Sequence, residues 1–556
     1  MAIFDYSKAK EPGRARIKNR ALRILTNLIV TAIVGFGYFY VSLPAVNPQS
    51  EEFYTFIGLL CIVYIVSSLI TSGRNLRGGG AREYFGYVKE QCIVPGILLV
   101  LLVLIFLIGG ISSWAILRAN SYKNLIQVEP GDFAAEVEEI SFDQIPMLDE
   151  QSAMRLGDRK LGELSDMVSQ FEVTDEYTQI NFQNRPVRVT TLRYGDIIKW
   201  FNNRSKGLPA YLIIDMVTQK VDVVRLSEGM KYSPAEYFGR YLYRHLRFHY
   251  PTFIFGTPTF EINDNKEPYW VCPRIVKRVG LFGGEDVDGA VLVNAVTGEC
   301  EYLKEVPNWV DRVYPASLII KQYDYYGHYR NGFFNSLFGQ KDVTETTAGY
   351  NYIALNDDVY VYTGVTSVGG DQSNVGFILS NQRTKETRYY PCAGATEYSA
   401  MSSAEGVVQH LAYQATFPLL LNISDEPTYF VALKDNAQLV KMYAMVNVRQ
   451  YQVVATGTTV AECERAYIKL LKEHGITVPI QIEEKGAKGK LVEIRSTVIE
   501  GNTVYYLRVE NDPVYYTVRA ADEESVVTLN VGDTVAIEYD VTSEGVIKKA
   551  LSIEKK

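Results

Sequence analysis

Residues 212–224 read LIIDMVTQKVDVV, residues 291–303 read VLVNAVTGECEYL and residues 378–390 read ILSNQRTKETRYY. The three align without a gap: Asp215, Asn294 and Asn381 coincide, as do Thr218, Thr297 and Thr384, and then Lys220, Glu299 and Glu386. In each, an apolar run meets a polar turn and returns with alternating character, the pattern of a β-hairpin. Equivalent threonines stand 79 and 87 residues apart, the length of a small domain. A weaker fourth copy is expected at residues 430–446, FVALKDNAQLVKMYAMV, with Asp435-Asn436 at its turn.

Between hairpins the pattern turns helical. Ser233-Pro-Ala-Glu236 has the form of a capping box with proline at the first helical position and predicts a helix through Tyr250. Thr459-Val-Ala-Glu462 predicts another that ends near Gly475, and residues 309–322 and 397–415 also read as helices. Alternating hairpins and helices predict an α+β fold whose repeated units each pack a helix on an antiparallel sheet. The expected order is a membrane-proximal α+β region at 117–205, the repeats at 206–340 and a third α+β unit with a C-terminal helix at 341–480. A linker at 481–490 follows. Short strands in residues 491–556, with Gly501-Asn502, Asn511-Asp-Pro and Gly532-Asp533 at the turns, predict a small β-barrel, OB-like or SH3-like.

The copy at 291–303, an apolar strand running into Asn294-Ala-Val-Thr-Gly-Glu299 and out through Tyr302, resembles the PepSY domain. That family is a small α+β module of secreted and membrane proteins, known as a propeptide inhibitor of metallopeptidases and as an accessory part of envelope proteins. The resemblance therefore implies an inhibitor-like or accessory role. Gln219 and Lys385 stand where this copy has Gly298.

Residues 24–43, 53–71 and 92–116 contain no Asp, Glu, Lys or Arg. Each is long enough to cross about 30 Å of hydrocarbon as a helix, which predicts a three-helix transmembrane region over 24–116. Seven Lys and Arg lie in residues 1–23 and four in the second loop (Arg74, Arg77, Arg82, Lys89), against none between the first two spans. Basic flanks stay inside, so 1–23 is expected to be a cytoplasmic N-terminus and 117–556 extracytoplasmic. The first apolar run is too long for a signal peptide, and Ser42-Leu-Pro-Ala45 is a poor cleavage site, so it reads as an anchor.

The chain has 556 residues, 47% hydrophobic and 22% charged, a globular composition that excludes a disordered or collagen-like chain. Its net charge is −8, and the part after Ile116 holds 45 basic against 58 acidic residues. That balance argues against nucleic acid as a partner and predicts a body repelled from anionic lipid. Of six cysteines, Cys61 and Cys92 lie in or beside spans. The other four are too few for a disulfide framework; Cys272 and Cys300 flank one hairpin and are either paired or small buried hydrophobes. Such sparing use suits a Gram-positive envelope.

No local pattern assigns catalytic, cofactor-binding or metal-ligating residues, and no cofactor is expected. His245 and His249 share a helix face at i and i+4, but no glutamate base or third ligand is assignable, and an aromatic packing helix is the other reading. Asn356-Asp357-Asp358 and Gly369-Gly-Asp371-Gln-Ser-Asn374 are oxygen-rich without EF-hand spacing. Ser399–Ser403 lacks the lysine of a Ser-x-x-Lys site, and Cys392 and Cys463 have no histidine in pattern. Forty tyrosines, with a run from Tyr323 to Tyr329, suit either a binding surface or cross-strand packing. The expected function is a membrane-anchored extracytoplasmic binding, scaffold or regulatory protein of a bacterial envelope. Its expected partners are the lipid bilayer and another envelope or membrane protein. The alternatives are an envelope hydrolase with a carboxylate-based site and an accessory subunit of a membrane transporter, for which Asn27, Thr31, Ser67 and Ser68 are the polar residues visible in the spans.

Overall fold

The computed structural model describes residues 20–71, 81–137, 145–355, 357–369, 373–476, 486–499, 502–520, 523–539 and 546–556. Residues 1–19, Arg74, Arg77, Asn356, 370–372, 481–485 and Gly501, on which sequence expectations fall, lie outside them. The chain is α+β and divides into two bodies, residues 1–475 and 476–556.

Helices α1 (Arg20–Ser42), α2 (Glu51–Thr71) and α3 (Ala81–Ser112) each contain a segment long and apolar enough to cross a membrane. Ser67 Oγ donates to Asn27 Oδ1 at 2.8 Å and Thr71 Oγ1 does so at 3.1 Å. The polar residues of the first two spans are thus joined in a buried α1–α2 contact, the usual use of small polar groups between apolar helices. Next come α4 (Ala115–Lys123), β1 (Val128–Pro130) and α5 (Phe133–Glu136).

Four units follow in tandem. Unit I holds α6 (Glu150–Gly162), β2 (Phe171–Val173), β3 (Thr178–Phe182), β4 (Arg185–Tyr194), α7 (Ile197–Asn203), β5 (Leu208–Asp215) and β6 (Val221–Met230). Unit II holds α8 (Leu242–His249), β7 (Ile254–Phe255), β8 (Thr259–Ile262), β9 (Pro268–Val279), β10 (Gly283–Asn294) and β11 (Cys300–Leu303). Unit III holds α9 (Ala316–His328), β12 (Thr344–Thr346), β13 (Asn351–Leu355), β14 (Asp358–Ser367), β15 (Ser373–Asn381) and β16 (Thr387–Ala395). Unit IV holds α10 (Glu397–Val407), β17 (Gln414–Ala415), β18 (Leu419–Ile423), β19 (Glu426–Lys434), β20 (Val440–Asn447) and β21 (Val454–Gly457), and α11 (Val460–Glu473) follows it. In every unit two short strands both pair with a long third strand, which continues through the fourth and fifth as an antiparallel meander. Departures from the shared order include α7, inserted in unit I, β1, added parallel to β16, and the short helical turn Asn335–Gly339 between α9 and β12.

The turn between fourth and fifth strands explains the aligned sequences. Asp215 Oδ1 accepts from the N–H groups of Val217 and Thr218, Asn294 Oδ1 from Val296 and Thr297, and Asn381 Oδ1 from Arg383 and Thr384. Gln219, Gly298 and Lys385 then adopt φ of +60°, +78° and +66°. The left-handed step is therefore common to all three, and two copies tolerate a side chain there at about 1–2 kcal/mol. The carbonyl after the Asx accepts from the segment leading into the unit's helix: Met216 O from Met147 N, Ala295 O from Lys231 and Tyr232 N, and Gln382 O from Val313 and Tyr314 N, at 2.8–3.0 Å. Val448 O does the same for Ala395 N.

That last bond corrects the fourth copy. Residues 430–446 form the β19–β20 hairpin, which joins third and fourth strands, whereas the equivalent turn begins at Asn447, whose Oδ1 accepts from Gln450 N. Asp435 also accepts from a main-chain N–H, that of Leu439, so the two turns look alike in sequence.

Other boundaries move too. The division at 205/206 falls between β4 and β5, which pair, so unit I is one sheet rather than the end of a membrane-proximal region. The helix expected at 309–322 starts only at Ala316, after Pro315, because Val313 and Tyr314 are held by Gln382. Ser233 does not open a helix: Glu236 is drawn away by Tyr194 Oη and Trp200 Nε1, and α8 begins at Leu242. The Thr459 box forms, with Thr459 Oγ1 accepting from Glu462 N. The helix from Glu397 ends at Val407, and Gln414–Ala415 is a strand.

In the second body, β22 (Gly486–Ile499), β23 (Asn502–Val509), β24 (Tyr515–Arg519), β25 (Thr534–Tyr539) and β26 (Ile547–Lys555) hydrogen-bond in the closed order β22–β23–β24–β26–β25. Gly486–Lys490 pair with β25 and so are strand rather than linker. The stretch Val526–Leu529, which the sequence pattern reads as a short strand, lies largely in a 3-10 turn, Glu524–Thr528, capped by the Glu523 carboxylate.

Unit II does not stand off the spans. Arg247, buried, donates from Nε to Leu43 O at 2.8 Å and from Nη1 to Phe253 O at 2.5 Å, and Arg244 Nε donates to Tyr40 O at 3.0 Å. Val46 N bonds Pro251 O, and Gln49 exchanges two bonds with the Lys277 main chain. The β9–β10 tip sets Leu281 and Phe282 against Gly109, with the Phe282 ring edge-to-face with Tyr54 and tilted against Phe106. These few cations meet backbone carbonyls, a contact that a count of net charge does not register. Arg247→Ala is expected to lower stability by about 2–4 kcal/mol, and limited proteolysis in mild detergent should show faster cleavage within residues 43–50.

Candidate functional site

Units I, III and IV and the lead-in to α9 surround a cavity of about 620 Å³. Gln179 on β3 and Arg188 on β4 stand directly opposite each other in the register of that pair. Arg312 enters from the lead-in to α9, Tyr352 from β13, and Phe417 and Phe430 from unit IV. The volume is that of a small-molecule site.

The chemistry of the lining is unusual for an interior. Arg188 is 6% exposed; its Nε has no hydrogen-bond partner and its Nη1 reaches only Tyr177 O at 3.5 Å. Gln179 is 1% exposed, and neither end of its amide is bonded within the protein. Arg312 Nη2 donates to Tyr352 Oη at 3.0 Å, with the guanidinium over that ring at 4.9 Å, and its Nε is unpartnered. Burial pushes Arg188 below the usual arginine range, Glu150 partly restores it, and Arg312 adds repulsion. Glu150 lies at the rim without bonding either arginine, while Asp149 is bound by Lys434 and Ser152 and held below the usual carboxylate range against its own burial. Two neighbouring guanidinium groups and a free amide, walled by aromatic rings, are a recognition set for an oxyanion such as a carboxylate or a phosphate.

A carboxylate pair lies beside the cavity, but its bonds are structural. Glu261 of β8 accepts from the N–H groups of Asp311 and Arg312 at 2.8 and 3.1 Å, and Asp311 accepts from Asn181 N at 2.7 Å. Both are buried, which pushes Glu261 up to about 7 against the main-chain N–H groups it accepts from, and pushes Asp311 up as well, with Glu261 raising it further. The pair knits units I and II to the lead-in of unit III.

The residues singled out in the sequence lie elsewhere. One ring nitrogen each from His245 and His249, together with Cys300 Sγ, fall within 4.8 Å of one another, so β11 supplies the third donor that spacing could not reveal. One nitrogen of each imidazole meets a carbonyl, His245 Nε2 that of Gly298 and His249 Nδ1 that of His245. Burial lowers His245 and raises the Cys300 thiol to about 11; two imidazoles and a thiol are the donor types that suit a soft cation. Cys272 and Cys300 are both free, on opposite flanks of β10. Asp358 is gripped by Arg383 at 2.7 Å and by Asn381, and Ser399 belongs to the N-cap of α10. Of the tyrosine run, Tyr323 is buried and Tyr325 and Tyr329 pack on Tyr122 of α4.

No family model matches the chain, and no curated protein matches it in sequence.

Glu261 supplies a pH test. Its folded value lies above the ordinary 4.5, so its contribution to stability is full below pH 4.5 and is lost as pH rises through about 7. Wild-type melting temperature is therefore expected to fall over that interval relative to Glu261→Gln, whose difference from wild type should be constant with pH if the carboxyl does not titrate there.

Proposed function

We propose that this is a membrane-anchored extracytoplasmic binding protein of a bacterial envelope, in which four PepSY-like units form the body and an anionic ligand occupies the cavity that three of them share. The observation that carries the reading is Arg188, a buried cation with no acceptor at Nε, faced by the unbonded amide of Gln179. An uncompensated buried charge costs several kcal/mol, and a carboxylate or phosphate group offers the acceptors that would offset it. The ligand's anionic group belongs either to a small solute or to a segment of a partner envelope protein, which is the sense in which the chain acts as a scaffold or regulator. Basic residues ahead of and within the first turn of α1 and from Arg74 to Lys89, against Glu51-Glu52 at the start of α2, support an extracytoplasmic body. Six free cysteines support a Gram-positive envelope, and the small C-terminal body reads as an OB-like or SH3-like interaction module.

Native mass spectrometry of the full-length protein released from mild detergent tests this against Arg188→Met. The wild type should carry a small acidic species, or co-purify with a second protein, and the variant should carry neither. The variant should also fold at least as well as unliganded wild type, because replacing a buried unpaired charge by an apolar chain is neutral or stabilising. A ligand-free wild type that no carboxylate or phosphate compound stabilises against heat would sink the proposal.

A further inference from the structure

The large apolar side chains exposed on a soluble body are normally scattered. Here several gather in two prongs, one bridged by a guanidinium to the last turn of α1 and one joined through a row of aromatic rings to the residue just past α3. In the first, the Asp196 carboxylate caps α7 through the N–H groups of Ile198 and Lys199, and the helix turns Ile197, Ile198 and Phe201 outward, Ile198 being 70% exposed. Beneath them Trp200 packs against Tyr237 and Phe238 with ring centroids 4.9 and 5.8 Å apart. Phe238 is 61% exposed and holds φ of +52°, a strained conformation for so bulky a residue.

The depth of this prong follows from one guanidinium. Arg244 donates from Nη1 to Phe238 O at 2.7 Å and from Nε to Tyr40 O at 3.0 Å, and it lies 4.1 Å from the Tyr40 ring. Tyr40 stands two residues before the end of α1, so Phe238 lies level with the last turn of that span. The second prong is Asn335–Gly339 with Phe334, where Phe334 and Leu337 are exposed and Phe338 is 82% exposed. Phe333 stacks on Tyr329, and Tyr329 packs on Tyr122, whose hydroxyl bonds Ser113 O just past the end of α3. Cations border the first prong: Arg204 lies over the Phe201 ring at 4.2 Å, and Arg240 donates to Arg204 O.

We infer that both prongs are seated in the boundary between headgroups and acyl chains, in the leaflet where α1 and α3 end beside the body. Apolar tips at span depth, backed by arginines able to reach phosphates, are the pattern of an interfacial membrane contact. With the Leu281-Phe282 tip between the spans, these contacts fix the underside of the body on the bilayer. The inference rests on reading α1 and α3 as membrane spans and is independent of the cavity.

Photocrosslinking in the full-length protein tests it. p-Azidophenylalanine replaces Phe201, Phe238 or Phe338 in separate variants, a near-isosteric change at exposed sites, in nanodiscs of phosphatidylglycerol and phosphatidylethanolamine. Phe106 of α3 serves as the span control and Tyr451, exposed on the turn after β20, as the comparison. Phospholipid adducts at all three prong positions, comparable to Phe106 and at least about tenfold above Tyr451, are expected. Adducts at Phe106 alone, with prong positions no higher than Tyr451, overturn the inference while leaving the spans intact. Adducts at none of the sites overturn the reading of the spans and the inference together.

Discussion

Four main-chain carbonyls organise the body: those of Met216, Ala295, Gln382 and Val448. Each follows an Asx that closes the last hairpin turn of its unit, and each accepts from the strand of chain that leads into that unit's helix. A sheet and its helix are thereby clasped at one point, where a polar turn made by four or five residues reaches a segment tens of residues earlier. The rest follows from the clasp. It sets where α9 starts, and it brings Asp311 and Arg312 to Glu261.

The clasp also accounts for what could be read in advance. Asx-x-x-Thr turns between apolar strands are local, so the three hairpins around Asp215, Asn294 and Asn381 are plain in the sequence, as are three charge-free runs in helices long enough to cross a membrane. The fourth unit was harder because two of its turns carry an Asx that caps its own loop, and only strand order tells Asn447 from Asp435. Helix starts failed where a tertiary partner outbid a local one: Glu236, three residues after Ser233, is bound by Tyr194 and Trp200.

The cavity was legible only as an irregularity. Arg188 interrupts a run of strand residues buried on both sides, Val187 to Leu192, and a charge in such a place invites a question without naming a site. Its companions sit far away in sequence, Arg312 in a segment that looked helical and Tyr352 in another unit. Cys300 was likewise visible as a cysteine but not as a neighbour of His245 and His249. Constellations assembled across sheets leave no spacing to find.

The loop between α1 and α2 has a further consequence, for the order in which the molecule can be made. Asn47 and Gln49 bond residues 205 and 228 positions downstream. When the first two spans have been synthesised, the acceptors of this loop do not yet exist, and its polar groups must rest on water. The spans are therefore a provisional bundle until unit II is complete, and the closing of Arg247 on Leu43 is a late, high-contact-order event that converts two separately formed parts into one. A chain interrupted between residues 116 and 250 would keep α1, α2 and α3 and lose the latch that holds them in register with the body.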